Sequence, residues 1–246
     1  MKFINDSAFK YLSVKLPYLG AFLILVAMIL QWGLDYQVIP VQYQAVITLI
    51  ILPMLSHLGK KVYQPELHTD VQSFVAITAG HSNVDPGAVN GKFKEAELVT
   101  KFRNAVAHYL KEAGIAIKTD GVGSDNQNLN TAIKLIKGSD VAVEFHMNAA
   151  SNKAAYGIET IALPKDKKLA QDLSKVVAKA FGSKLRGDVG WIDQSQSARG
   201  KLGFISNGGL IIELGFISND TELQTFNEKY WLAARDVADV LIRYAK

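Results

Sequence analysis

The stretch FVAITAGHSNVDPGAVNGKFKEAELVTKFRNAVAHYLKEAG, Phe74 to Gly114, changes its period halfway along. Phe74–Gly80 is a short apolar run rich in β-formers that ends in glycine, which predicts a strand. The turn residues of DPGAVNG follow. From Glu95 onward, Leu98, Val99, Phe102, Val106 and Leu110 fall on one helical face, and Gly114 stops the helix. One strand feeding one amphipathic helix through a polar loop is the elementary unit of an α/β protein.

The rest of the chain repeats the pattern. IAIKT, Ile115–Thr119, reads as a strand, and Leu129–Lys137 as a short helix. DVAVEFHMNA, Asp140–Ala149, is a strand running out at His146. GIETIAL is another strand, Lys168–Phe181 a helix with Leu169, Leu173, Val176, Val177 and Phe181 aligned, GLIIELGF a further strand, and Thr221–Tyr244 a long amphipathic helix. This alternation predicts an α/β fold with a central twisted, mostly parallel sheet flanked by helices. Ligands then gather at the carboxyl ends of the strands. The phrase Leu-Gly-Phe-Ile-Ser-Asn occurs twice, at 202–207 and 214–219. The second copy follows Glu213 out of an apolar strand. The first follows Arg199-Gly200-Lys201 and is expected to form a neighbouring strand or loop.

Residues 1–61 are of different character. Leu16 to Leu34 carries no charge and, at about 1.5 Å per residue, would reach roughly 28 Å as a helix, near the ~30 Å of a bilayer core. Tyr18 and Trp32 lie near its ends. A second, weaker segment runs from 41 to 58 and contains Pro53. The sequence thus predicts a two-helix transmembrane hairpin, about 16–34 and 41–58, that meets the lipid bilayer through residues 16–58 and can oligomerise. Lys2, Lys10 and Lys15 on one flank and Lys60 and Lys61 on the other place both flanks in the cytoplasm by the positive-inside rule. Residues 62–72 read as a linker, and 73–246 as a catalytic domain.

With no cysteine in 246 residues, thiolate metal sites, disulfides and a cysteine nucleophile are all excluded. Any metal must be held by His, Asp or Glu. The formal charge of +4 suits a polyanionic surface but equally serves solubility, and no nucleic-acid partner is expected.

Three polar residues stand in or beside apolar strands: His81, His146 and Glu213. A charged Glu213 buried in GLIIELGF would cost several kcal/mol without a partner, so a cation or hydrogen-bonding site is the economical explanation. A zinc hydrolase needs three protein ligands, of which two His and one Glu is a known set, and a free carboxylate for proton transfer. The third ligand has to come from the helix after His81. Glu95 shares the side of Leu98 and Val99 and is preferred. Glu97, projecting about 200° away, is the alternative. His57, His68 and His108 read as bystanders.

Residues 74–246 resemble the zinc-dependent N-acetylmuramoyl-L-alanine amidases of the type 3 class. The resemblance rests on AGHSNVDPGAVNG, KEAELV, EFHMNA, GIET and IIELGFISN, in the family's order. It implies a central sheet flanked by helices, Zn2+ held by His81, Glu95 and His146, and Glu213 as the catalytic carboxylate. The bond implied is the amide between the lactyl group of N-acetylmuramic acid and L-alanine of the peptidoglycan stem peptide. Asn148, Ser218 and Asn219 are candidates for positioning that junction. The chain departs from the family at Ser82-Asn83, where two glycines are frequent, and at Asn126–Asn130, where an arginine is frequent.

A wall hydrolase joined to a Lys-flanked hairpin suggests a phage lysis protein, an endolysin fused to a holin-like anchor, its catalytic domain held on the cytoplasmic side of the inner membrane until lysis. The alternatives are a membrane-anchored host amidase facing the wall, a catalytically inactive wall-binding relative, and a peptidase acting elsewhere in the stem peptide.

Overall fold

The structure is a computed structural model that describes residues 22–23, 25–55, 73–197 and 199–245. The chain divides into two compact units, Met1–Val71 and Gln72–Lys246.

In the first unit the chain is helical from 25 to 35, turns, and continues as α1 (Val41–Val46), a π-helical stretch (Ile47–Ile51) and a further helical turn to residue 55. Among the described residues no helix is long and apolar enough to cross a membrane. This overturns the expected transmembrane hairpin and with it the placement of the protein in the inner membrane, on either side. The described helices break at residues 36–40 and fall short of the about 20 residues a span needs. Residues 16–21, 24 and 56–58 of the expected spans, the flanking lysines and the linker 62–72 lie outside the described residues.

The second unit is built on a six-stranded sheet of β1 (Val75–Ala79), β4 (Ile117–Thr119), β5 (Val141–Asn148), β6 (Glu159–Ala162), β7 (Trp191–Asp193) and β8 (Leu210–Phe216), in the order β4-β1-β5-β8-β6-β7. All neighbours are parallel except β6 and β8. A two-stranded ribbon, β2 (Val89–Asn90) and β3 (Phe93–Lys94), lies in the loop after β1. The sequence pattern did not disclose it, because two-residue strands carry no alternation.

Period-two alternation sorts each strand onto two faces. Val75, Ile77, Val143, Phe145, Met147, Ile212 and Leu214 pack into the larger core with helices α2 (Glu95–Glu112), α4 (Lys167–Phe181) and α6 (Asp220–Tyr244). Ala76, Ala142, Ile161 and Ile211 point the other way, into a smaller core under α3 (Leu129–Leu135) and α5 (Gly203–Ser206). Glu144, His146, Glu159 and Glu213 share the parity of this second set. The first Leu-Gly-Phe-Ile-Ser-Asn copy corrects the expectation of a strand or loop: it forms α5, with Phe204 and Ile205 buried in the smaller core.

Candidate active site

The carboxyl ends of β1 and β5 meet the start of α2. His81 leaves β1 one residue after Gly80, Glu95 opens α2, and His146 lies near the end of β5. Gly80 has to be glycine here, because a Cβ would overlap the His146 ring. Gly87 adopts φ +66°, and a Cβ there would lie 2.6 Å from the His81 ring and 2.8 Å from Glu95 Oε2. His81 itself takes a left-handed φ of 67°, an uncommon conformation for a residue with a side chain.

The ligand atoms of His81, Glu95 and His146 all lie within 4.8 Å of one another. His81 Nε2 is 2.9 Å from Glu95 Oε2, and His146 Nδ1 is 2.9 Å from Glu95 Oε1. Glu95 is anchored from behind: the Met147 N–H donates to Oε1 at 3.0 Å and the Ala88 N–H to Oε2 at 3.0 Å. Glu97 stays on the surface, paired with Lys94 at 2.8 Å, so Glu95 is the acid that enters the cluster.

Each ring is held on its far side by another acid. His81 Nδ1 is 3.0 Å from Asp85 Oδ2, and Asp85 Oδ1 accepts from the Gly87 N–H. His146 Nε2 is 3.2 Å from the buried Glu144 Oε2. An imidazole that donates from one nitrogen to a carboxylate presents the lone pair of the other, in a fixed orientation. Neither acid stood out in the sequence reading. Glu144 carried the same signal as Glu213, an acid inside an apolar strand, two residues before His146 and therefore on its face.

The charge pattern follows. Burial lowers the His146 pKa, but the hydrogen bonds to Glu144 and Glu95 outweigh it and raise the value to about 10. Burial likewise opposes, and Glu95 and Asp85 produce, a raised His81. Glu95 is held well below the usual carboxylate range by the two rings, against the effect of its own burial. The cluster thus holds positive charge among three inward-facing ligand atoms. His81 Nε2 is buried and makes no aligned hydrogen bond although Glu95 Oε2 is within 2.9 Å. Two imidazole nitrogens and a carboxylate gathered within 4.8 Å of one another suit a cation. Two His and one Glu fit a catalytic zinc site, which keeps one position open.

Glu213 on β8 is the Cα partner of His146. It is 2 % exposed, and its Oε2 has no hydrogen-bond partner. Burial pushes its pKa up to about 7, against the pull of His146 and Arg199. On the other side of β8, Glu213 pairs with Glu159. Glu159 is differently served: Arg186 Nε donates to its Oε2, and Asn148 Nδ2 to its Oε1 at 3.0 Å. Of two neighbouring glutamates, one is charge-balanced and one is left with a carboxyl poised to exchange a proton near neutral pH.

The remaining expected residues divide. Asn148 lines a cavity of about 260 Å³ together with Glu213. Ser218 Oγ accepts from the Ala150 N–H, and Asn219 caps α6 by accepting from the Glu222 N–H while its amide donates to Lys153 O. Both hold loops beside the site. His108 is exposed and lies 3.4 Å from Glu112, whereas His57 and His68 fall outside the described residues.

Residues 75–243 match the family model described as N-acetylmuramoyl-L-alanine amidase. A solved structure named as an N-acetylmuramoyl-L-alanine amidase, from Neisseria meningitidis, is 46% identical, superposes with a TM-score of 0.65, and covers 70% of this chain and 96% of its own. A protein of Buchnera aphidicola subsp. Baizongia pistaciae with the same activity in its name is 24% identical over 208 residues, covering 69% of this chain and 95% of that protein. The Staphylococcus aureus protein named autolysin PH is 24% identical over 189 residues, and this chain spans only 38% of its length. With the match running through most of the second unit and the relative from Neisseria close in sequence, the chain belongs to the N-acetylmuramoyl-L-alanine amidase family.

Proposed function

We propose that residues 73–246 are a zinc-dependent amidase that hydrolyses the peptidoglycan bond between the N-acetylmuramic acid lactyl group and L-alanine of the stem peptide. The observation that carries this reading is the convergence of His81, Glu95 and His146 beside an unpartnered, buried Glu213. His81 would hold the metal through Nε2, His146 through Nδ1 and Glu95 through its carboxylate. When bound, zinc supplies a Lewis acid for the amide carbonyl and makes water acidic enough to ionise near neutral pH.

The chain's own residues do the rest. Asp85 and Glu144 fix the two rings so that the inward nitrogens cannot rotate away. Glu213 takes the proton of the attacking water and returns one to the leaving amine of L-alanine, a transfer suited by a carboxyl whose pKa lies near 7. Asn148, tied to Glu159, offers a fixed polar edge for the lactyl-peptide junction. Ser218 and Asn219 support the loops around it.

The lysis role expected from the sequence depended on a membrane hairpin, and its support falls with that hairpin. Digestion of purified peptidoglycan tests the amidase reading directly. Mass spectrometry should find intact stem peptides with a free N-terminal alanine. Fragments cut inside the stem peptide would assign a peptidase, and undigested wall that still retains the protein would assign a binding module.

A further inference from the structure

The cavity beside β8 is lined by Glu213, Asn148, Glu159, Arg186, Arg199 and Phe216, among others. Its charges are unequally committed. Arg186 donates to Glu159, and its guanidinium lies 5.0 Å from the centre of the Phe216 ring, so it forms a fixed wall. Arg199 comes from the segment between β7 and α5. Its backbone N–H bonds to Ser197 Oγ, whereas its exposed guanidinium has no hydrogen-bond or ion-pair partner among the described residues. Glu213, in the same cavity, has its Oε2 buried and unpartnered. One cavity thus presents a proton-transfer carboxyl and an uncommitted, planar, five-donor cation of the kind that grips carboxylates in pairs of hydrogen bonds.

We propose that Arg199 is a specificity-determining residue that pairs with a carboxylate of the stem peptide on the leaving-group side of the scissile amide. This rests on the amidase reading. Glu213 returns a proton to the leaving amine, so the peptide beyond that amine runs into the cavity Glu213 lines. In an acidic stem peptide the first free carboxylate follows the alanine by one residue, within reach of a rim cation.

The test compares two muramoyl peptides with the full-length, zinc-loaded protein: one with a free carboxylate on the residue after L-alanine, the other with the carboxamide. Wild type should favour the carboxylate by about 10- to 100-fold in kcat/KM, the span of a charged hydrogen bond. In Arg199→Gln that ratio should fall to within about twofold of one, with zinc content maintained. Binding gives a readout free of turnover: Glu213→Gln should bind the carboxylate form about tenfold or more tighter than Glu213→Gln/Arg199→Gln does. A wild type indifferent to the carboxylate, or an Arg199→Gln that slows both substrates equally, overturns the proposal while leaving the amidase intact. If wild type releases alanine-ended peptide from neither substrate, the amidase reading fails and takes this one with it.

Discussion

At the scale of single residues, the site is a set of charges made tolerable by one another. Replacing His81 or His146 with Ala removes one of the three proposed ligands and leaves the buried Glu95 with one ring partner fewer. Both variants should lose bound zinc by elemental analysis; full zinc occupancy in either would remove that residue from the ligand set. Glu213→Gln should retain zinc yet lose turnover by orders of magnitude, and activity near wild type would refute its role in proton transfer. The same substitution has a stability signature. The folded pKa of Glu213, about 7, lies above its ordinary 4.5, so the folded state holds that proton more tightly than the unfolded chain does. The stability this contributes is complete below pH 4.5 and is lost as pH rises through 7, a change of roughly 3 kcal/mol. Glu213→Gln does not titrate and should therefore gain on wild type by that order between pH 4 and pH 8, both measured with a chelator present. Parallel stability curves for the two proteins would show that burial does not govern this carboxyl.

At the scale of elements, the site depends on how β1 is terminated. Arg103 on α2 is fully buried, and its Nη1 lies 2.8 Å from Asp120 Oδ1. Asp120 in turn accepts from the Ala79 N–H at 3.1 Å, and Arg103 Nη2 donates to Asp125 O at 2.9 Å. One ion pair therefore ties α2, the end of β1 and the 120–126 loop together, two residues from His81. Arg103→Ala leaves a buried acid without its partner and should cost about 3–5 kcal/mol in denaturant unfolding. A loss below ~1 kcal/mol would mean that water replaces the guanidinium. Gly87→Ala acts differently. The left-handed turn and the close approach of His81 and Glu95 leave no room for the methyl group, so zinc affinity should drop by at least tenfold with a smaller effect on the melting temperature. Unchanged affinity would show that the loop relaxes around it.

At the scale of the whole molecule, the second unit contains both cores and every residue of the proposed site. A fragment of residues 72–246 should unfold in one cooperative transition and digest peptidoglycan within about twofold of the full chain, since relatives of the same span are matched over nearly their whole length. A fragment that fails to fold would make the first unit a structural requirement. Much of this domain could be read from residue order alone. Long strands and helices announce themselves by period, because burial of one face or of both is written into β1, β5, β8, α2, α4 and α6. His81, His146 and Glu213 stood out because a polar side chain in such a run is costly unless something answers it. Glu95 over Glu97 followed from helical geometry. Other features were not legible. Asp85 and Glu144 lie only four and two residues from the rings they face, but short polar spacings of that kind are common and only the folded turn and strand show which acid meets which nitrogen, and Arg103 is an ordinary helix cation until the fold buries it against Asp120. The doubled Leu-Gly-Phe-Ile-Ser-Asn marks the boundary between the two kinds of knowledge. At 214–219 it leaves a strand that β5 and β6 grip from both sides, and at 202–207 the same six residues form a short helix under which Phe204 and Ile205 fill the smaller core. The sequence by itself determined the layers of this protein and the polar residues that interrupt them. Only the tertiary structure decided that the first copy of the repeated phrase became a helix where the second stayed a strand, because local propensities of a few tenths of a kcal/mol per residue yield to burial against neighbours that the chain supplies from elsewhere.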